Sequence, residues 1–143
     1  MREINRLIIH HSLTKDSLTV SAGAIRRYHM ETLGWRAVGY HYLQERIGDY
    51  EEILKGRFHH EIGAHTKGHN HDSIGICLIG NYDLTSPFED QYQLLAKLCA
   101  EIMYTYDLPM NDVYPHSEFA DKTCPGTMFS MDYLKHCIAR AEP

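Results

Sequence analysis

The stretch "INRLIIHHS" (4–12) sets three apolar residues, Leu7, Ile8 and Ile9, directly before paired histidines. The run is too short for a helix and rich in β-branched side chains, so it predicts a buried strand ending at His10 and His11. Neighbouring strand residues point to opposite faces, so only one of that pair can face a given site. "SAGAIRRYHMETLGW" (21–35) predicts a helix, with Ser21 as N-cap, a partial apolar face through Ile25, Tyr28 or His29 and Leu33, and Gly34 as terminator. "VGYHYLQER" (38–46) alternates as a strand does, and "IGDY" turns it into "EEIL", which predicts a hairpin. Residues 56–72, "GRFHHEIGAHTKGHNHD", form a Gly- and His-rich polar segment. A strongly apolar strand, "SIGICLIGN" (73–81), follows at once, which marks the segment as a functional loop rather than a linker.

The strongest periodicity lies at 87–106. Ser86, Pro87 and Glu89 read as a capping-box start with proline at the first helical position. Phe88, Tyr92, Leu95, Cys99, Ile102 and Tyr106 then recur at three- and four-residue steps, a core-facing stripe. "LPMNDVYP" returns the chain towards the sheet, and "MDYLKHCIARA" (131–141) predicts a closing helix with Leu134, Cys137 or Ile138, and Ala141 inward. The order β-α-β-β-β-α-(β)-α predicts an α/β fold: a single domain over residues 1–143, with a central mixed β-sheet flanked by about three helices. A chain of 143 residues is the size of one ordinary domain.

Charge narrows the partners. Fourteen basic against nineteen acidic residues give a net charge of -5, which argues against a nucleic-acid partner and supplies no polybasic handle for anionic membranes. The N-terminal stretch has neither a secretory signal nor a membrane span, so the expectation is synthesis in the cytoplasm, no membrane insertion, and release or export by another factor. Nothing in the sequence demands more than a monomer. Four irregularly spaced cysteines do not make a disulfide framework. Cys77, Cys99 and Cys137 sit in apolar runs and read as core residues, whereas Cys124 has polar, loop-forming neighbours.

Cys124 belongs to "HSEFADKTCPG" (116–126), where His116 lies eight residues before it. Zinc favours imidazole nitrogen and thiolate, and a catalytic zinc keeps three protein ligands and an open fourth position. His10 or His11 would complete a His-His-Cys set. On these residues alone three readings stand: a metal site, a Cys-His hydrolase, or an ordinary loop. Lys122 is either an oxyanion-stabilising cation or a solvated lysine beside Asp121. Tyr40 is either a donor to the same oxyanion or a half-buried strand tyrosine.

Four blocks occur in one order: "IIHHS" (8–12), "GWRAVGYHY" (34–42), "GAHTKGHNHDSIGICLIGN" (63–81) and "HSEFADKTCPG" (116–126). In these the chain resembles the zinc-dependent N-acetylmuramoyl-L-alanine amidases of the small phage-lysozyme type, relatives of the peptidoglycan recognition proteins. The resemblance runs from about residue 7 to residue 138. It implies a zinc ion held by His10, His116 and Cys124, with His11 as the off-face neighbour of His10. It further implies catalytic roles for Tyr40 and Lys122, and hydrolysis of the amide between N-acetylmuramic acid and L-alanine in peptidoglycan, as in an endolysin. His65 is expected to border the groove or to support its loop. Trp35 and Arg36 are expected to line the groove or to pack on the core. His69 and His71 read as structural or exposed, Asn70 and Ser73 as holding the turn, and His41 as a satisfied core histidine. Ala37 departs from the family, which often carries an acidic residue there, and this bears on the local loop. The alternative is a non-catalytic peptidoglycan-binding module of the same fold. Loss of a zinc ligand or of Lys122 would mark such a module, and all are present.

Overall fold

The computed structural model describes residues 2–13, 30 and 38–141. The helix expected over 21–35, with Trp35, Arg36 and Ala37, therefore lies outside the described residues, apart from Met30. Strand β1 (Arg6–His11) is an interior strand of the sheet, and its Leu7, Ile8 and Ile9 are fully buried. It pairs in parallel with β4 (Ser73–Leu78) on one side and with β5 (Val113–Pro115) on the other. A parallel strand covered on both faces reads as a continuous apolar run, which is why "LII" and "SIGICLIG" carry no polar alternation. The hairpin of β2 (Tyr42–Ile47) and β3 (Tyr50–Lys55) joins through a parallel β2–β4 pairing, giving the order β3-β2-β4-β1-β5. Gly48 takes φ 63° in the hairpin turn, a conformation that side chains disfavour.

Helices α1 (Glu89–Tyr106) and α2 (Met131–Arg140) pack against each other and cover one face of the sheet. Leu7, Ile9, Ile74, Ile76 and Leu78 point into that core, where they meet Tyr92, Leu95, Cys99, Ile102, Leu134 and Ile138. Strand alternation sends Ile8, His10, Gly75 and Cys77 to the opposite face. That face carries the cleft described below.

Helix α1 begins two residues later than the Ser86–Glu89 pattern suggests. Gln91 Oε1 accepts the backbone N–H of Phe88 at 2.6 Å, so Phe88 is the capping position and Gln91 closes the first turn. Phe88 is consequently not part of the core stripe. It is 61% exposed, and the Arg46 guanidinium lies over its ring at 4.6 Å. The rest of the stripe, from Tyr92 to Ile102, is buried, with Tyr106 packed at its margin. Ser130 caps α2 by accepting from Tyr133 N at 3.0 Å. Cys77, Cys99 and Cys137 are buried, as their apolar neighbours suggest.

The long 56–72 segment is tied to the sheet by two side chains. Arg2 donates to the carbonyls of His59 at 2.8 Å and Ser73 at 2.9 Å, and to those of Asn70 and His71, each at 3.2 Å. His41, fully buried, accepts from Gly75 N at 3.1 Å through Nδ1 and donates from Nε2 to Glu61 O at 2.9 Å. This fixes the neutral imidazole, because a second proton would face the Gly75 N–H. Burial is the main cause that lowers the His41 pKa to about 4, with Arg2 adding to the effect. A histidine whose folded pKa is depressed binds its proton more readily in the unfolded chain. Stability from this group is therefore complete above pH ~6.5 and is lost as pH falls from there towards about 4. The loss amounts to about 3 kcal/mol at most. In urea denaturation of the metal-free chain, the stability gap between wild type and His41→Gln should narrow as pH drops from 7 to 4. Parallel pH profiles for the two proteins would contradict this account.

Candidate metal centre and active site

The cleft on the face opposite α1 and α2 holds a volume of about 530 Å³, and its lining includes His10, Tyr40, His65, His116, Lys122 and Cys124. His10 comes from the end of β1, where the parallel register sets it beside Cys77. His116 follows β5 on a 3-10 turn, His116–Glu118. Cys124 returns at the end of a loop that closes on itself, since Ser117 N donates to Cys124 O at 2.8 Å and Gly126 N to Thr123 O at 2.7 Å. The Cys124–Pro125 peptide is cis.

One ligand atom from each of His10, His116 and Cys124 lies within 4.8 Å of the others. The His10 and His116 ring centroids are 4.4 Å apart. His11, as strand alternation requires, turns the other way and accepts from Tyr82 N at 3.1 Å through Nδ1. Its backbone still serves the site, because His11 N donates to Cys124 Sγ at 3.2 Å. Two imidazoles and a thiol converging at one wall of an open cleft match the donor set of a catalytic zinc, with room for a fourth ligand from solvent.

The electrostatics fit the same reading. Burial first, then neighbouring imidazoles and Lys122, holds His10 well below its ordinary pKa, and burial followed by Lys122 lowers His116. Both rings are uncharged at neutral pH and can offer lone pairs. Burial pushes the Cys124 thiol up to about 11. An activated cysteine nucleophile requires the opposite shift, so the thiol-hydrolase alternative loses its chemical basis. A thiol of this kind becomes a thiolate when a cation replaces its proton.

Tyr40 does not lie within the strand. It sits on a bend two residues before β2, with its ring centroid 5.2 Å from that of His10. Burial, then the Cys77 and Cys124 thiols, raises its pKa well above the ordinary phenol value, so it keeps its proton as a donor. Lys122 is exposed at the mouth of the cleft. His65 lies at the floor, its ring centroid 4.9 Å from that of His10. Asn70 Oδ1 holds the preceding turn by accepting from His65 N at 2.9 Å and Thr66 N at 2.8 Å. His69 packs on Phe119 with centroids 4.1 Å apart, and His71 is exposed.

Two contributors escape sequence reasoning. Asp83 latches the Cys124 loop, accepting from Thr127 N at 2.8 Å and Thr123 Oγ1 at 2.9 Å. An aspartate in a loop after a strand carries no signal of a partner forty residues away. Gly75 is the second. A Cβ at this position would stand 2.5 Å from His65 Cδ2 and 2.7 Å from its Nε2, so the missing side chain makes the hollow that the ring occupies. A glycine inside an apolar strand is the available signal for such a close approach.

Comparison with known proteins identifies the family of the chain. Residues 1–127 match the family model described as N-acetylmuramoyl-L-alanine amidase. The endolysin of Escherichia phage T7 is 37% identical over 124 residues, covering 83% of this chain and 78% of that protein. The amidase LysC from Clostridium intestinale superposes with a TM-score of 0.84 at 24% identity, covering 99% of this chain and 88% of the other. The ectodomain complex of peptidoglycan recognition proteins LCa and LCx, bound to tracheal cytotoxin, gives a TM-score of 0.76 at 28% identity, covering 92% and 87%.

Replacing Gly75 by Ala should push the His65 ring off the floor and destabilise the fold by about 1–3 kcal/mol. Thermal unfolding of the metal-free chain measures this directly. An unchanged midpoint would show that His65 has room the structure denies it.

Proposed function

The chain belongs to the N-acetylmuramoyl-L-alanine amidase family, and we propose that it performs the family's hydrolysis of peptidoglycan with zinc held by His10, His116 and Cys124. The observation that carries the metal is the convergence of those three donors within 4.8 Å. The reaction adds water across the amide joining the lactyl group of N-acetylmuramic acid to the L-alanine of the stem peptide. The carbonyl carbon gains the hydroxyl, the C–N bond breaks, and the alanine nitrogen leaves as an amine.

When bound, zinc supplies Lewis-acid polarisation of a carbonyl and lowers the pKa of water in its open position towards ~7. The chain's own residues divide the remaining work. His10 and His116, kept neutral by burial, and Cys124, as thiolate, hold the ion. The thiolate is supported by the His11 backbone N–H at 3.2 Å. Lys122 brings a positive charge to the cleft mouth, where it meets the oxyanion that forms as the carbonyl becomes tetrahedral. Tyr40 retains its phenolic proton and donates to the same oxygen. His65 lines the cleft and borders the proposed substrate groove. Trp35 and Arg36 keep the proposed role of groove residues from their place in the sequence motif. The substrate is peptidoglycan or a muropeptide, and the site of action is the cell wall. All the named donors come from one chain. Among the described residues no helix is long and apolar enough to cross a membrane.

Incubation with purified peptidoglycan should release soluble peptides with new L-alanine amino termini. A chelator should abolish the release and Zn²⁺ should restore it. Lys122→Ala should retain the zinc yet lose on the order of 10²–10³ in kcat, as loss of an oxyanion donor does. Cys124→Ala should lose the metal and the activity together. Undiminished turnover by Cys124→Ala would sink the proposed centre, and muropeptide binding without turnover by the zinc-loaded chain would favour a binding module.

A further inference from the structure

His65 shares a hydrogen-bonded triangle with a proposed ligand. His10 Nε2 lies 2.9 Å from His65 Nδ1 and 3.3 Å from Thr66 Oγ1, while Thr66 Oγ1 lies 2.9 Å from His65 Nδ1. On the far side of the ring, His65 Nε2 lies 3.3 Å from Ser73 Oγ. Thr66 and Ser73 are buried, and Asn70 fixes the backbone at both His65 and Thr66. The hollow left by Gly75, and by Gly63 whose Cβ would stand 2.6 Å from His65 Cδ2, fits the ring closely. Both nitrogens of His65 are thus taken by the protein, and the ring has no second place to sit.

The protons on this chain can be ordered in two ways. In one, His10 carries its proton on Nε2 and donates to the single lone pair of His65 Nδ1, with Thr66 Oγ1 as a second acceptor at 3.3 Å, while His65 Nε2–H donates to Ser73. In the other, His65 Nδ1–H donates to His10 Nε2, and the His10 proton moves to Nδ1. Only the first leaves His10 Nδ1 with a free lone pair, and among the described residues no hydrogen bond engages that atom. A histidine ligand needs that arrangement, because an acceptor on the other ring nitrogen sets its tautomer and raises its basicity.

We propose that His65 is a positioning residue: the acceptor that holds His10 in its Nε2–H form and aims Nδ1 at the metal, with Ser73 anchoring the far side. This rests on the zinc reading above and deepens it. It also narrows the part His65 plays towards substrate, which meets the exposed part of the ring rather than a free nitrogen.

The test uses the full chain, metal-free and loaded with Zn²⁺. Long-range ¹⁵N–¹H correlation on the metal-free protein should show His10 as a single Nε2–H tautomer. In His65→Leu it should become a mixture, and the zinc dissociation constant, read by chelator competition, should rise about 10–100-fold. His65→Gln, whose carbonyl oxygen can accept from His10, should recover most of that affinity. Ser73→Ala should shift both readouts in the same direction by less, and it serves if His65→Leu does not fold. An unchanged His10 tautomer and unchanged zinc affinity in His65→Leu, with only KM raised, would overturn the proposal in favour of a substrate contact. A wild-type chain that takes up no zinc would overturn the metal centre itself. The tautomer measurement would then still decide the His10–His65 bond.

Discussion

The parallel pairing of β1 with β4 is the constraint on which the site depends. It places His10 beside Cys77 and, by alternation, sends Leu7, Ile9, Ile74, Ile76 and Leu78 into the helical core. A slip of one residue in either strand would exchange every side chain between the faces. His11 would then enter the cleft and an isoleucine would replace His10 at its floor. The continuous burial of both strands makes such a slip costly, so the core that stabilises the fold also fixes the place of His10 in the cleft. Gly75 belongs to the same logic. It lies on the cleft side of β4, and its lack of a side chain admits the His65 ring against the sheet.

The second organising feature is the separation of buried neutral donors from an exposed cation. His10 and Cys124 are buried and His116 is half-buried, whereas Lys122 stands in solvent two residues before Cys124. Burial disfavours charge on each of the three donors, which suits a centre whose charge arrives with the metal. Lys122 stands where water reaches it, at the mouth of the cleft. A single loop thus carries a group selected for desolvation and a group selected for exposure. The bond from Ser117 N to Cys124 O lets it do both, by turning the chain inward at one end of the loop only.

Much of this was legible in the sequence, and the misses have physical causes. The apolar runs of β1 and β4 announce themselves because a doubly covered parallel strand has no polar face. The His116–Cys124 loop is readable because few residue types bind metals and two of them occur close together. The start of α1 was displaced because Ser86 and Glu89 fit a capping box that Phe88 and Gln91 supply instead. Phe88 accordingly reads as a core residue by periodicity, although it is exposed. Tyr40 reads as a strand residue by alternation, yet the strand begins only at Tyr42, where pairing with Ile76 of β4 starts. The Asp83 latch and the His65–Thr66–Ser73 arrangement depend on contacts between distant segments, which periodicity does not record.

The fold alone does not separate a hydrolase from a recognition protein, since relatives bearing both names share it. The distinction falls on a few side chains, and their supports explain why it can. His10 is carried by the sheet, His116 by a 3-10 turn and Cys124 by a closed loop, so each has its own scaffold. Among the described residues the larger hydrophobic cluster lies on the other face and includes none of the three side chains. Under the proposed assignment, exchanging Cys124 or Lys122 would remove chemistry while leaving the other supports of the cleft in place. On the same assignment, the presence of His10, His116, Cys124 and Lys122 together in one cleft is what favours catalysis over binding alone.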